Sequence, residues 1–180
     1  DYLDLFDAPD RGVCAVIADV SGHGINSALL MTSTRAHFRA MAGQMTPAQA
    51  LARLNEEVYR EVGSTGMFVT GAALRLASDG RSLVFASAGH NPVLLYRQAA
   101  RSCEWLEASG PPLGFVAQAE YTDCDVSVAP GDIVVLYSDG ITEAVDAERE
   151  EMFGEDRLQA AILQMADREP DTILAHALHA

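Results

Sequence analysis

The chain has 180 residues and a formal net charge of −14, from 26 acidic and 12 basic residues. So acidic a composition excludes nucleic acid as a partner, because binding to phosphates needs a basic surface. Hydrophobic residues make up 49% of the chain, which excludes a disordered protein. No stretch reaches the roughly 18 consecutive apolar residues of a membrane span. The length fits a single domain with its own core.

The first twenty residues predict a β-hairpin. The run DYLDLFD alternates between apolar and polar residues, as strands do. A turn is expected at Pro9–Gly12 and a second strand at Val13–Asp19. The apolar run Cys14–Ala18 indicates that this second strand is buried.

Two helices follow the hairpin. Asn26 or Ser27 is expected to cap the first helix, which runs to about Met41. The segment TPAQ, Thr46–Gln49, is a capping box with proline at the first helical position, so a second helix begins there and runs to about Val62. Apolar residues at helical spacing in the second helix predict a face that packs on the core.

From Met67 onward the sequence contains short runs rich in β-branched and aromatic residues: MFVTGAALRL, SLVFASAG, PVLLYR, DCDVSV and DIVVLYSD. Turn signals separate these runs, among them Asp79-Gly80 and Pro130-Gly131. The runs predict a meander of about five antiparallel strands.

Two more helices complete the predicted elements. One spans the segment FGEDRLQAAILQMA and carries an apolar stripe, and Pro170 begins the other. Strands, helices, strands and helices in this order predict an α+β domain. The three cysteines, Cys14, Cys103 and Cys124, have neither the spacing of metal ligands nor that of a disulfide framework. We therefore expect reduced thiols and a cytoplasmic protein.

Asp19 lies where the buried strand runs into the loop VSGHG. A carboxylate at such a position is costly unless it has a partner. One interpretation is that Asp19 caps the next helix or accepts amide hydrogen bonds in the turn. The other is that Asp19 binds a metal ion, which requires further acidic side chains nearby.

The segment DIVVLYSDG repeats this pattern, with an apolar run before Asp139. Asp1 and Asp4 lie on the strand that is expected to pair with the strand of Asp19. If the strand ends are neighbours, their carboxylates repel one another unless a cation lies among them. Oxygen ligands without a His or Cys cluster favour Mg²⁺ or Mn²⁺.

Five segments carry a family resemblance: ADVSGHGINSALLMT, ASAGHNPVLLY, GPPLG, GDIVVLYSDGITEA and FGEDRL. In this order, over nearly the whole chain, they resemble the bacterial SpoIIE/RsbU-type branch of the PPM metal-dependent Ser/Thr protein phosphatases. The resemblance implies a four-layer α-β-β-α sandwich, in which two antiparallel sheets are flanked by helices. It also implies one domain over residues 1–180, cut at both ends, which is the C-terminal output domain of a longer regulatory protein.

The resemblance implies two Mn²⁺ or Mg²⁺ ions and assigns their ligands. Asp19 matches the aspartate that bridges the two ions, the backbone carbonyl of Val20 matches a further ligand, and Asp139 matches the metal aspartate of the DG motif. Asp1 matches the last residue of a GGD entry motif, whose two glycines this chain lacks. Two ions about 3.5–4 Å apart activate a water for attack on phosphorus, so no protein nucleophile is needed.

Five further residues are considered around these ligands. Asp4, Ser138 and Gly140 are expected beside the metal ligands. His23 either donates a proton to the leaving serine or threonine oxygen or holds its loop through a hydrogen bond. For His90 in AGHNP, the same acid role competes with bracing a turn.

One feature of the family is missing from the sequence. Family members continue with a strand whose Asp-Asp-x-Thr segment contributes a metal carboxylate, and this chain reaches Ala180 before that point. Asp167 and Asp171 lie in helical segments and are not assigned as ligands. We expect weaker binding of one ion if no such strand follows.

The resemblance implies a phosphatase that acts on phosphoserine or phosphothreonine in a bacterial signalling protein, and it suggests a STAS-domain anti-sigma-factor antagonist as substrate. It also suggests an upstream sensory or receiver domain and formation of a homodimer. The competing interpretation is a catalytically silent module that binds a phosphoprotein or a kinase; retention of Asp19 and Asp139 argues against it. A Ca²⁺-stabilised structural domain is a third interpretation, disfavoured because no EF-hand-like ladder of oxygen ligands is present.

Overall fold

The computed structural model describes residues 1–8, 12–63, 65–107, 110–145 and 151–178. The strands among these residues are β1 (Tyr2–Ala8), β2 (Gly12–Val20), β3 (Val69–Leu76), β4 (Ser82–Ala88), β5 (Val93–Arg97), β6 (Ser102–Leu106), β7 (Cys124–Ser127) and β8 (Ile133–Val135). The helices are α1 (Ile25–Met41), α2 (Pro47–Val62), α3 (Asp139–Thr142), α4 (Gly154–Met165) and α5 (Pro170–Ala177). The chain divides into a first unit, Asp1–His90 with Glu107–Val128, and a second unit, Asn91–Leu106 with Ala129–Ala180. Each unit contains one sheet and its own helices.

The first unit contains a five-stranded antiparallel sheet in the order β1-β2-β3-β4-β7. The predicted hairpin is confirmed, since Tyr2 on β1 pairs with Ala18 on β2. Residues 9–11 of its expected turn at Pro9–Gly12 lie outside the described residues. β2 also pairs with β3, where Asp19 lies opposite Thr70. The strand that carries Asp19 therefore has a hydrogen-bonded neighbour on both sides.

Helices α1 and α2 cover one face of this sheet. Val16, Ala18 and Val20 of β2 are buried in one apolar cluster with Leu30 of α1 and Leu54 of α2. Side chains alternate between the two faces along a strand. The side chain of Asp19, which lies between Ala18 and Val20, therefore projects from the face away from both helices.

The predicted start of α2 is confirmed. Thr46 Oγ1 accepts a hydrogen bond from the amide of Gln49 at 3.3 Å, and the amide of Thr46 donates to Gln49 Oε1 at 3.1 Å. This reciprocal pair is the capping box that the segment TPAQ predicts. Pro47 occupies the first turn of the helix, where its missing amide hydrogen costs nothing.

The predicted cap of α1 is wrong. Neither Asn26 nor Ser27 is the N-cap, because the helix already begins at Ile25, directly after Gly24. Gly24 has a φ of 91°, a backbone conformation that residues other than glycine rarely adopt. The hydroxyl of Ser27 instead donates to the carbonyl of Ser21 at 3.3 Å. The loop geometry, and not a capping side chain, sets the first residue of α1.

The second unit contains a three-stranded antiparallel sheet in the order β6-β5-β8. Leu94 and Tyr96 of β5 are buried with Leu158 and Ile162 of α4 and with Ile173 of α5. The apolar stripe predicted for α4 is therefore confirmed as the face that packs on the sheet.

The predicted meander of about five strands is wrong. The described residues after α2 contain six strands, and these divide between two sheets. Strands β3, β4 and β7 join β1 and β2, whereas β5, β6 and β8 pair with one another. Turn residues mark where a strand ends, but its neighbour in the sheet is chosen by pairing between distant segments. The predicted α+β class with two antiparallel sheets and helices is confirmed.

The strand before Asp139 also differs from the prediction. The apolar run Ile133–Tyr137 predicts one buried strand, but β8 ends at Val135 and its residues are half-buried. Asp139 is the first residue of the short helix α3. It is therefore separated from the strand by three residues, whereas Asp19 lies within β2 itself.

Two expectations from composition can be compared with the described residues. The thiols of Cys14, Cys103 and Cys124 are all free, as expected. Burial raises the pKa of Cys14 and of Cys103 above the usual value of a thiol. In the part of the chain that the structure describes, no helix is long and apolar enough to cross a membrane.

Candidate functional site

Asp19 is the predicted metal ligand in the first unit. It lies one residue before the end of β2, and 31% of its side chain is exposed. The backbone nitrogen of Asp1 lies 3.7 Å from Asp19 Oδ1. The hairpin thus brings two of the predicted ligands next to each other, and Val20, whose carbonyl is the third, follows directly in the strand.

Within the described residues, no arginine or histidine side chain forms an ion pair with Asp19. Several arginines pair with other carboxylates: Arg39 with Asp4, Arg53 with Glu56, Arg97 with Asp132, Arg101 with Asp167 and Arg157 with Glu151. A nearby positive charge stabilises the ionised form of a carboxylate. A dication bound at Asp19 would supply the neutralising charge that no side chain among the described residues supplies there.

Asp4 is not brought to the metal ligands. Its carboxylate accepts a hydrogen bond from Tyr2 Oη at 2.7 Å and from Arg39 Nε at 2.5 Å. These two donors hold the pKa of Asp4 below its usual value, although partial burial opposes them. Arg39 belongs to α1, so Asp4 faces the helical side of the sheet and Asp19 faces the other side. The expectation that Asp4 lies beside the ligands is therefore corrected to a structural ion pair with α1.

Ser21 fixes the backbone that follows Asp19 and Val20. Its amide donates to the carbonyl of Phe68 at 2.9 Å, and the amide of Phe68 donates to Ser21 Oγ at 2.9 Å. The hydroxyl of Ser27 holds the Ser21 carbonyl from α1. Sequence reasoning missed Ser21, because a serine after a buried strand has no pattern that reveals a long-range partner.

His23 lies exposed in this loop, between Gly22 and Gly24. Both glycines have positive φ angles, of 83° and 91°. Among the described residues no hydrogen bond holds the imidazole of His23, and Ser21 braces the loop in its place. Of the two interpretations of His23, the structure therefore lends no support to the loop brace.

His90 is placed differently, because its side chain is buried. The residue is 5% exposed, and Nδ1 lies 3.0 Å from Thr70 Oγ1. Thr70 is the cross-strand partner of Asp19. The structure thus favours bracing for His90, and the residue that it braces is the immediate neighbour of the predicted bridging aspartate.

Asp139 in the second unit is exposed at the start of α3, and so is Gly140. Ser138 is the N-cap residue of α3, but its side chain makes no capping hydrogen bond. The segment is anchored by Tyr137, which is 5% exposed and donates from Oη to Glu155 Oε1 at 2.9 Å. A buried anchor directly before it therefore positions the DG motif.

The donor chemistry of the predicted ligands fits a hard cation. Asp1, Asp19, Asp139 and the Val20 carbonyl offer only oxygen atoms, which Mg²⁺ and Mn²⁺ prefer. In residues 1–8, 12–63, 65–107, 110–145 and 151–178, no group of three or more His, Cys, Asp or Glu side chains could by itself hold a metal ion. The fit therefore rests on the pair Asp1 and Asp19 and on the oxygen character of the remaining donors.

Comparison with known protein families gives a match over most of the chain. The family model described as Stage II sporulation protein E (SpoIIE) matches residues 9–180. The chain belongs to the SpoIIE family. This membership confirms the resemblance that the five sequence segments indicate.

Curated relatives of this SpoIIE-family chain include two phosphoserine phosphatases of Bacillus subtilis. RsbU is 36% identical over 128 residues, which are 71% of this chain and 38% of RsbU. RsbP is 25% identical over 132 residues, which are 71% of this chain and 32% of RsbP. Protein IcfG of Synechocystis is 24% identical over 189 residues, 90% of this chain and 30% of that protein. The chain therefore spans only about a third of the length of these relatives.

Solved structures show the same fold. The RsbU and RsbW domains of a Mycobacterium tuberculosis protein match with a TM-score of 0.82 and 23% identity, over 99% of this chain and 49% of that chain. The SiaA-PP2C domain of Pseudomonas aeruginosa matches with a TM-score of 0.83 and 19% identity, over 99% of this chain and 71% of that chain. The phosphatase domain of SpoIIE from Bacillus subtilis matches with a TM-score of 0.74 and 15% identity, over 99% of this chain and 51% of that chain.

Proposed function

We propose that this domain is a metal-dependent protein phosphatase that hydrolyses phosphoserine or phosphothreonine on a bacterial signalling protein. The main structural support is the environment of Asp19. Its side chain is partly exposed beside Asp1, and no basic side chain among the described residues forms an ion pair with it. Membership of the SpoIIE family and the likeness to phosphoserine phosphatases RsbU and RsbP support it.

Asp1, Asp19 and the Val20 carbonyl hold the metal in the first unit in this proposal, and two Mn²⁺ or Mg²⁺ ions are the cofactors. Asp139 is a further ligand in this proposal. Its assignment rests on the DG motif that the chain shares with the family. Ser138 and Gly140 shape the backbone around it. When bound, the metal ions lower the pKa of a water and neutralise phosphate oxygens.

The residues of the loop orient the ligands and handle a proton. Ser21 fixes the backbone directly after Asp19 and Val20 through its hydrogen bonds with Phe68. His23 is exposed next to this backbone, where an imidazolium can donate a proton to the leaving serine or threonine oxygen. Positioning of Asp19 and protonation by His23 are thus separate tasks of neighbouring residues.

A STAS-domain anti-sigma-factor antagonist is the proposed substrate. The support is the name of the relative RsbU and the solved chain that contains both RsbU and RsbW domains. Residues 1–180 form one output domain in a longer cytoplasmic protein, controlled by an upstream sensory or receiver domain and able to form a homodimer. The curated relatives RsbU and RsbP are about twice as long as this chain, which supports the upstream domain.

The alternative is a catalytically silent module that binds a phosphoprotein or a kinase. Such a module has no need of acidic side chains at the end of β2. The proposal therefore predicts metal-dependent turnover, whereas the alternative predicts phosphoprotein binding without turnover.

Hydrolysis of a chromogenic aryl phosphate with Mn²⁺ tests the proposed function. We expect turnover that a chelator removes and that Asp19→Asn lowers at least about 100-fold, since a metal ligand is lost. Asp7→Asn is the matched control, because Asp7 is an exposed carboxylate on β1 at the other end of the same hairpin. Equal turnover of Asp19→Asn and wild type, or turnover that persists in chelator, contradicts the proposal.

A further inference from the structure

The loop that follows Pro112 carries an exposed phenylalanine, Phe115, that packs on Phe68. Phe115 is 66% exposed, and its neighbour Val116 is 39% exposed. The ring of Phe115 meets the ring of Phe68 edge to face, with centroids 6.3 Å apart and an interplanar angle of 88°. An exposed phenylalanine packed on a half-buried one needs an explanation, since contiguous apolar surface marks interaction sites.

The backbone beneath Phe115 is rigidly held. Asn55 of α2 is 1% exposed; its Oδ1 accepts the amide hydrogen of Gly114 at 2.8 Å, and its Nδ2 donates to the carbonyl of Val116 at 3.0 Å. Gly114 has a φ of 82°, and a Cβ there would lie 2.7 Å from Val58 Cγ1. Phe115 is therefore exposed because a fixed loop presents it to solvent.

The same loop is joined to the strand of the candidate site. Leu113 forms two backbone hydrogen bonds with Val69, of 2.8 and 3.0 Å. The next residue back, Phe68, is the backbone partner of Ser21, two residues after Asp19. Every link in this connection lies within the first unit.

The ring of Phe68 lies on the same face of the sheet as Asp19. Val69 is buried in the core under α1 and α2, as is its partner Val20. Thr70 follows Val69 in β3, so by alternation its side chain lies on the other face. Phe68 directly precedes β3, and its hydrogen bonds with Ser21 continue the pairing of β2 and β3 by one residue, which puts its ring on the face of Thr70. That face is the one from which Asp19 projects, so the ring of Phe68 borders the candidate metal centre and Phe115 packs against that ring.

We infer that Phe68 and Phe115 form a docking surface for the protein substrate, which takes a large apolar side chain close to the phosphoserine. This inference rests on the proposed function. The support for this occupant is the continuity of the aromatic pair with the backbone that carries Asp19. A rigid aromatic residue loses little conformational freedom on binding, which is why such residues serve as anchors in interfaces.

The docking surface separates the recognition of a protein from the chemistry at phosphorus. An aryl phosphate has no flanking chain and does not reach the aromatic pair. A phosphoserine segment of a protein extends on both sides of the phosphate and brings its neighbouring side chains to the rim. Loss of Phe115 therefore affects protein substrates and spares small ones.

Two synthetic phosphoserine peptides test the inference, one with leucine and the other with asparagine at the residues flanking the phosphoserine. We expect wild type to prefer the leucine peptide by about tenfold in kcat/KM, the effect of burying one large apolar side chain. Phe115→Ala should reduce this preference to about twofold or less while turnover of an aryl phosphate stays within about twofold of wild type. Tyr59→Ala is the matched control, since Tyr59 is a 39% exposed aromatic residue on α2 that makes no ring contact with Phe68 or Phe115 among the described residues.

Absence of the peptide preference in wild type, or its persistence in Phe115→Ala, overturns the inference. An equal loss of aryl phosphate turnover in Phe115→Ala also overturns it, because the ring then supports the centre and not docking. A change of oligomeric state in Phe115→Ala on size-exclusion chromatography would assign the surface to a second copy of the chain. If wild type hydrolyses nothing with Mn²⁺, the proposed function fails, and fluorescence anisotropy of the two peptides still decides the docking preference.

Discussion

Thr70 Oγ1 lies 3.0 Å from Nδ1 of His90, and the backbone of Thr70 pairs with that of Asp19. The hydrogen bond joins β3 to the turn after β4, where Gly89 forms a parallel bridge with Gly71. A buried imidazole thus fixes the residue opposite the predicted bridging ligand. This arrangement links the stability of the first unit to the placement of Asp19.

Replacement of His90 should therefore destabilise the protein. In His90→Ala a buried imidazole and its hydrogen bond with the half-buried hydroxyl of Thr70 are lost, and we expect the free energy of unfolding to fall by about 1–3 kcal/mol. Urea denaturation followed by circular dichroism measures this change. His23→Ala is the control, because His23 is exposed and should change the free energy of unfolding by less than about 0.5 kcal/mol. Equal urea midpoints for the two variants would contradict a bracing role for His90.

Asn55 supports the loop of Phe115 and should also be important for stability. Asn55→Ala leaves the amide of Gly114 without its acceptor in a buried position, so we expect a loss of about 1–3 kcal/mol in the free energy of unfolding. Thermal and urea denaturation measure it. Asn26→Ala should have almost no effect, because Asn26 does not cap α1. A loss in Asn26→Ala as large as that in Asn55→Ala would restore the capping role that the sequence predicts.

The elements predicted correctly from the sequence are those governed by local interactions. The capping box of α2 lies within four consecutive residues, and the stripe of α4 follows from helical periodicity alone. The hairpin of β1 and β2 is equally local, since its strands are adjacent in sequence. In each case the residues that decide the structure lie close together in the chain.

The features that could not be predicted depend on distant residues. Loop geometry at Gly24 sets the start of α1, and that loop is held by Phe68, more than forty positions away. The division of strands between two sheets depends on which distant strand each one pairs with. The structural roles of Ser21 and Asn55 could not be predicted for the same reason, because their hydrogen-bond partners are backbone groups far away in the sequence. Asp4 was misplaced because its pairing with Arg39 across a strand and a helix leaves no local signal.

The capping box gives a prediction with a well-matched control. Thr46→Ala removes the acceptor for the amide of Gln49, and we expect the free energy of unfolding to fall by about 1 kcal/mol. Thr32→Ala is the control, since Thr32 is exposed inside α1 and its hydroxyl bonds only to the carbonyl of Ala28. Its replacement should change the free energy of unfolding by less than about 0.5 kcal/mol. Chemical denaturation of both variants at one pH compares them directly.

Asp132 provides a prediction for pH dependence in the second unit. Its side chain is 5% exposed; it accepts hydrogen bonds from the amides of Gln98 at 2.9 Å and Ala129 at 3.1 Å, and from Arg97 Nη1 at 3.1 Å. Burial alone would raise the pKa of Asp132, but these three donors outweigh it and lower the pKa below 3.8. The ionised form of Asp132 is therefore favoured in the folded protein relative to the unfolded chain.

A lowered carboxyl pKa stabilises the folded state at every pH above the unfolded value, and this stabilisation disappears as the pH falls through the folded value. At pH 7 we expect Asp132→Asn to lower the free energy of unfolding by about 1.5–3 kcal/mol, the range for hydrogen bonds to a charged group. The difference between wild type and Asp132→Asn should shrink as the pH falls below about 4. Asp125→Asn, at an exposed position on β7, should change stability at pH 7 by less than about 0.5 kcal/mol. Urea denaturation across this pH range measures the effect. If the difference in the free energy of unfolding between wild type and Asp132→Asn stays constant down to pH 2, the charge of Asp132 does not contribute to stability.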